Sequence, residues 1–229
     1  KSLDSEKAKE IFDAEAADVL SAVNIYLSIA ADCIKKHGGT LDKYIGDCVM
    51  AFWGAPIPNE RHAASCVHAV IDMQRAIFDL NQKRREANNR LEEENFRRVL
   101  NGEAPLPLLD VLTFGSGINT GYVTVGLMGS EAHLMNYTIF GREVNLASRL
   151  EGASGRGRIL ISEQTFHELQ RDEPELAATC REQPRLELKG FRDSVRAYEV
   201  PWRPPELSPV DAGQSQTIIF DKNLRKDCI

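Results

Sequence analysis

No stretch of this sequence approaches the roughly 18 consecutive apolar residues of a membrane span, and no secretory leader is visible at its start. No membrane contact by this segment is therefore expected. Its five cysteines (Cys33, Cys48, Cys66, Cys180 and Cys228) include no Cys-x-x-Cys pair. An odd number at scattered positions excludes a paired disulfide framework and predicts reduced thiols in a cytoplasmic setting. Cys48, inside an apolar run, reads as small core filler rather than a nucleophile. Positive charge is also short: the net charge is −6, which excludes a broad basic surface and with it a nucleic-acid partner. Any cationic site for a phosphate must be local. No internal repeat and no dinucleotide-binding glycine fingerprint occurs, since no helix opens directly behind the glycines of 115–126.

What remains is an ordinary globular composition, 42% hydrophobic over 229 residues, enough for one domain with extensions. The chain opens on Lys1 rather than Met, as expected of a piece of a longer protein, which leaves room for a sensor, regulatory or membrane segment in the parent protein.

The densest signal lies in Gly38-Gly39-Thr40-Leu41-Asp42-Lys43-Tyr44-Ile45-Gly46-Asp47-Cys48-Val49-Met50-Ala51-Phe52-Trp53-Gly54. It predicts two short strands joined by a two-residue turn at Gly46-Asp47, because Gly tolerates the positive φ such a turn needs. Asp47 is thereby held at an exposed tip, where a carboxylate suits a hard cation. An ordinary polar surface turn has the same local pattern. A second constellation runs from Asn136 to Gly152. A β-prone run, Tyr137–Phe140, precedes a helix ending near Gly152. Asn145 and Arg149 are four residues apart and share a face; Leu146, Ala147 and Leu150 form the face to be buried. Asn is a poor helix former, and an Asn–Arg donor pair one turn apart suits a phosphate or a ribose oxygen. A solvated helix face is the other reading.

Elsewhere the periodicity predicts a long helix over about 5–36 and a second from about Arg61. The latter leads beyond Asn81 into a charged stretch that is either an exposed helical extension or a loop. Val111–Gly117 reads as a strand, 118–121 as a turn and Tyr122–Gly126 as the returning strand. Arg158–Ser162 is a further strand, with a weak cap at Ser162 before a helix over 163–170. Last strands are expected near 186–188 and 195–200. Pro, Ser, Gly and Asp dominate 201–216, and Thr217–Phe220 has the composition of a short strand. Hairpins interleaved with helices give an α+β class.

In sum these motifs resemble the catalytic domain of class III nucleotidyl cyclases, especially bacterial adenylate cyclases. The resemblance covers most of residues 19–200: the Lys-x-x-Gly-Asp hairpin, 51–56, Gly117-Ile118-Asn119-Thr120-Gly121, 138–149 and Leu188-Lys189-Gly190. It implies a ferredoxin-like core, a mainly antiparallel sheet with helices packed on one face, over 1–200, followed by an extension over 201–229. It implies cyclisation of a nucleoside triphosphate assisted by two divalent cations, Mg²⁺ or Mn²⁺. Asp47 takes the place of one metal ligand, Asn145 that of the ribose-orienting group, Arg149 that of the group stabilising charge at the α-phosphate, and Lys189 that of a triphosphate-binding lysine. Lys43 and Thr138 take the places of the base-reading pair. Lysine only donates, which suits adenine N1, and Thr138 can accept from the 6-amino group. Two unmet polar groups at roughly 1–3 kcal/mol each would favour ATP by about 30-fold or more. The threonine hydroxyl serves either polarity, so Lys43 carries most of this inference.

The resemblance further implies a homodimer, with Asp47 from one subunit facing Lys43, Thr138, Asn145, Arg149 and Lys189 of the other. It also implies a second metal aspartate, at the end of an apolar strand ahead of the first helix. Nothing here carries that pattern: Asp4, Asp13 and Asp18 fall in a helical stretch, and the run ending at Asp221 is at the wrong end. The first strand is expected to be missing from this sequence. Three readings follow: an adenylate cyclase, a guanylate cyclase disfavoured by Lys43, and a non-catalytic cyclase-like module that binds nucleotide or a partner.

Overall fold

The computed structural model describes residues 2–203, with side chains from Val19 onward. In chain order the elements are α1 (Ser2–Lys36), β1 (Thr40–Ile45), β2 (Cys48–Phe52), α2 (His62–Leu100), β3 (Ser116–Ile118), β4 (Thr124–Ser130) and β5 (Leu134–Phe140). They continue as α3 (Arg142–Ser154), β6 (Ile159–Ser162), α4 (Glu163–Asp172), α5 (Pro174–Thr179), β7 (Arg181–Glu182) and β8 (Ala197–Glu199).

Two glycines stop α1. Gly38 takes φ 69°, a left-handed conformation open to Gly. The Gly39 N–H then caps the Ile34 carbonyl at 2.8 Å. Trp53, just past β2, donates from Nε1 to the His37 carbonyl at 2.9 Å, so one helix end and one hairpin end are fixed together. Ala30 and Ile34 of α1 pack with Met73 of α2 and with Val49, Ala51 and Trp53. The hairpin has the expected two-residue turn: Ile45 pairs with Cys48, and Gly46 sits at φ 62°.

The first half of α2 supplies core residues, including Val67, Val70, Ile71 and Ile77. Beyond Asn81 it stays helical to Leu100, and its support there comes from amides rather than apolar packing. Asn81, Asn88 and Asn95 each donate to and accept from the backbone of the returning segment, at Leu112, Leu109 and Leu106 respectively. Gln74 adds a bond to the Phe114 carbonyl. These amides stand seven residues apart, two helical turns, so they form one stripe.

Strands β3, β6, β8 and β7 form a four-stranded sheet in that order; β3 and β6 are parallel and the other pairs antiparallel. Its main core joins Ile159 and Ile161 to Ala64 and Val67 of α2, Leu169 of α4 and Trp202. Leu160, on the other face of β6, meets Leu150 of α3. The α+β class and the mainly antiparallel pairing are as expected from the sequence. Several details differ. The strands expected at 111–117 and 122–126 do not pair with each other: β3 joins β6, and β4 instead forms a seven-residue hairpin with β5. The expected strand near 186–188 is a single bridge between Leu186 and Val195. Ser162 is a working cap, accepting from the Thr165 N–H at 3.2 Å. The domain also packs past residue 200. Trp202 is buried, donates to the Gly157 carbonyl at 2.7 Å and meets Phe78 edge-on. The expected strand at 217–220 lies outside the described residues. Among those described, the β1–β2 and β4–β5 hairpins are ladders separate from the four-stranded sheet.

Candidate functional site

The hairpin β1–β2 is not regular. Leu41 pairs with Ala51 and Lys43 with Met50, so Asp42 is an extra residue in β1. Such a bulge re-aims a side chain, and here Asp42 reaches β5. Its carboxylate Oδ2 accepts from the Thr138 hydroxyl at 2.6 Å and from the Ile139 N–H at 3.4 Å. The Lys43 ammonium donates to Thr138 Oγ1 at 3.0 Å and lies 3.2 Å from Asp42 Oδ1. The Asp42 side chain has 0% exposure against 37% for Lys43, and Thr138 is fully buried. Lys43 and Thr138, 95 residues apart in sequence, are therefore in direct contact within one chain. Sequence reasoning passed over Asp42. The available signal was an Asp inside a strand, where that residue is depleted.

Asp47 stands exposed at the hairpin tip, beside Cys48. Behind it, Tyr26 of α1 packs on Phe114 with ring centroids 5.1 Å apart. Burial, followed by the negative fields of Cys48, Asp47 and Glu151, pushes the Tyr26 phenol well above its ordinary range. That leaves it neutral. Burial likewise raises Cys66 to about 12 and Cys180 to about 11, so neither is an activated thiolate.

Helix α3 is seated by close backbone contact. A Cβ at Gly117 would fall 2.1 Å from the Glu151 nitrogen and 2.4 Å from the Ala147 carbonyl oxygen, and one at Gly115 would fall 2.2 Å from the Gly155 carbonyl oxygen. A Cβ at Gly126 would instead meet open space. Asn119 fixes the start of α3 by donating to the carbonyl oxygen and the carboxylate of Glu143, at 3.0 and 2.8 Å. Seated in this way, α3 buries Leu150 and turns Asn145 and Arg149 to solvent. The exposed Lys189 occupies a turn closed by the Phe191 N–H to the Leu188 carbonyl, with Gly190 at φ 89°. Arg142, at the first position of α3, lies over the Phe191 ring at 5.2 Å. Lys189 is thus brought to the N-terminal end of the helix that carries Asn145 and Arg149.

As a metal ligand, Asp47 fits a hard cation by its chemistry and exposure. Among the described residues, no group of three or more His, Cys, Asp or Glu side chains converges on one point. Asp4, Asp13 and Asp18 lie within α1, and no described strand precedes that helix. Magnesium sites of one or two carboxylates completed by substrate phosphates and water are common, and Asp47 alone would fit that pattern as a protein ligand. No hydrogen bond or ion pair among the described residues joins Asp47 to Lys43, Asn145, Arg149 or Lys189.

The chain belongs to the adenylate and guanylate cyclase catalytic domain family, whose sequence profile matches residues 4–201. It is 36% identical to the adenylyl cyclase CyaB from P. aeruginosa, covering 82% of this chain and 84% of that one with a TM-score of 0.61. It is 31% identical to the guanylyl cyclase Cya2, covering 81% of each chain with the same TM-score. An adenylate cyclase of Anabaena cylindrica is 29% identical over 188 residues, which are 81% of this chain and 33% of that protein. The chain thus spans only about a third of that relative's length.

Proposed function

We propose that this chain is an adenylate cyclase catalytic unit that converts ATP to 3′,5′-cyclic AMP and pyrophosphate. The Lys43–Thr138 contact carries the reading, since it joins the two side chains, a donor and a hydroxyl, that a purine edge would meet. Likeness alone does not choose the base, because an adenylyl and a guanylyl cyclase are similar to this chain at comparable identity. The lysine does, because guanine N1 is itself a donor.

The catalytic unit spans 1–200 with a C-terminal extension over 201–229, Trp202 packing with the former. Asn145 orients the ribose so that its 3′-oxygen lines up with the α-phosphorus. Arg149 stabilises the charge that grows on the α-phosphate, and Lys189 holds the departing pyrophosphate end. Asp47 holds a divalent cation, Mg²⁺ or Mn²⁺; two such ions supply charge neutralisation when bound. The site is shared by two copies of the chain, Asp47 from one and the remaining residues from its mate. Apolar side chains exposed on the β4–β5 hairpin support a second copy there, Leu127 at 67% and Leu134 at 65% among them. A regulatory segment elsewhere in the parent protein belongs to the same reading.

Incubating the purified chain with Mn²⁺ and either ATP or GTP tests it. Cyclic AMP as the dominant product is expected. Dominant cyclic GMP overturns the base assignment, and no product from either nucleotide overturns the catalytic one in favour of a binding module.

A further inference from the structure

We propose that Asp42 is a positioning residue that sets the hydrogen-bond polarity of the Lys43–Thr138 pair and so selects adenine over guanine. The inference rests on the reading of that pair as the base-contacting site. A threonine hydroxyl has one proton and two lone pairs, and an ionised carboxylate only accepts. With Asp42 Oδ2 at 2.6 Å, the Thr138 proton lies on that bond; the Ile139 carbonyl, at 3.5 Å, is a far weaker competitor. Lys43 takes one Thr138 lone pair at 3.0 Å. Thr138 is left with acceptor capacity only. Guanine O6 needs a donor, and Thr138 can provide one only by abandoning a carboxylate that has no access to water. The 6-amino group of adenine needs an acceptor, which Thr138 has.

Asp42 acts on the lysine as well. Its Oδ1 makes no hydrogen bond of good geometry, although it is buried; the nearest cation is Lys43 Nζ at 3.2 Å. An ammonium held between Oδ1 and Thr138 keeps a third N–H for an acceptor such as adenine N1. Thr138 has no exposed surface, and the Lys43 ammonium is one of the groups against it. When the ammonium turns to a base, the lone pair it held passes to the 6-amino group. A buried carboxylate oxygen without a hydrogen bond is a cost that native structures seldom carry, and at this site it serves selection.

The test is the ratio of kcat/KM for ATP to that for GTP, with Mn²⁺, in wild type, Asp42→Ala, Asp42→Asn, Thr138→Val and Asp42→Ala/Thr138→Val. Freeing the Thr138 proton in Asp42→Ala is expected to lower the ratio about tenfold, the worth of one buried hydrogen bond. Asp42→Asn keeps the shape without the charge and is expected to lower it by about threefold, so it serves if Asp42→Ala is not a folded dimer. In the Thr138→Val background there is no hydroxyl to orient, so removing Asp42 is expected to lower the ratio less than it does in wild type, only the hold of Oδ1 on the lysine being lost. A wild type that prefers GTP overturns the base reading beneath the proposal. A wild type that prefers ATP, with the ratio unchanged in a folded Asp42 variant, overturns the role of Asp42 alone. So does a fall on removing Asp42 from Thr138→Val that is as large as the fall on removing it from wild type.

Discussion

At the scale of single residues, the proposed chemistry is divided between exposed groups and buried ones. Arg149 and Asn145 project from α3 into solvent, so they contribute little to stability and are free to meet a substrate. Replacing an exposed side chain ordinarily changes stability by less than about 0.5 kcal/mol. Arg149→Ala is therefore expected to unfold at the wild-type urea midpoint while losing about 10²–10³-fold in kcat, the range for removing one group that stabilises transition-state charge. An unchanged kcat would remove its assigned role. The exposed tip at Asp47 was legible in the Gly46-Asp47 turn, whereas Lys43 and Thr138 were singled out as a pair by the resemblance alone. Asp42 was not. Its importance comes from a bulge that turns it towards a strand almost 100 residues away, and nothing in Leu41-Asp42-Lys43 announces that bulge.

At the scale of elements, local chemistry was readable and long-range pairing was not. Gly46-Asp47 specifies its own hairpin, and Gly38-Gly39 its own helix stop, within a few residues. The parallel pairing of β3 with β6 joins Ser116 to Ile159 through a hairpin and a helix, and no periodicity encodes such a choice. The charged half of α2 was ambiguous for another reason. It is held by an amide stripe to an extended backbone, so it shows little of the apolar repeat that marks a packed helix. Asn81 is a buried member of that stripe, satisfying both the N–H and the carbonyl of Leu112. Asn81→Ala is expected to destabilise the domain by about 1–3 kcal/mol, since it strands both groups. Asn88→Ala, at an exposed contact, should cost less. Equal urea midpoints for wild type and Asn81→Ala would show that the stripe does not support the helix.

At the scale of the whole molecule, the proposed function divides the site between two copies. Among the described residues, the hairpin tip bearing Asp47 makes no polar contact with the Lys43–Thr138 pair, the α3 face or the lysine turn, while the β4–β5 hairpin that carries Thr138 leaves apolar side chains uncovered. Two copies related by a twofold axis would complete two equivalent clefts. The dimeric arrangement is implied by the resemblance alone; composition and periodicity say nothing of it. Mixing two inactive variants tests it most directly. Asp47→Ala and Arg149→Ala should each be nearly inactive alone. Mixed in equal amounts and allowed to exchange subunits, half of the dimers become mixed, each with one intact cleft of two. Activity should then recover to about a quarter of wild type. A mixture no more active than its components would contradict the shared cleft.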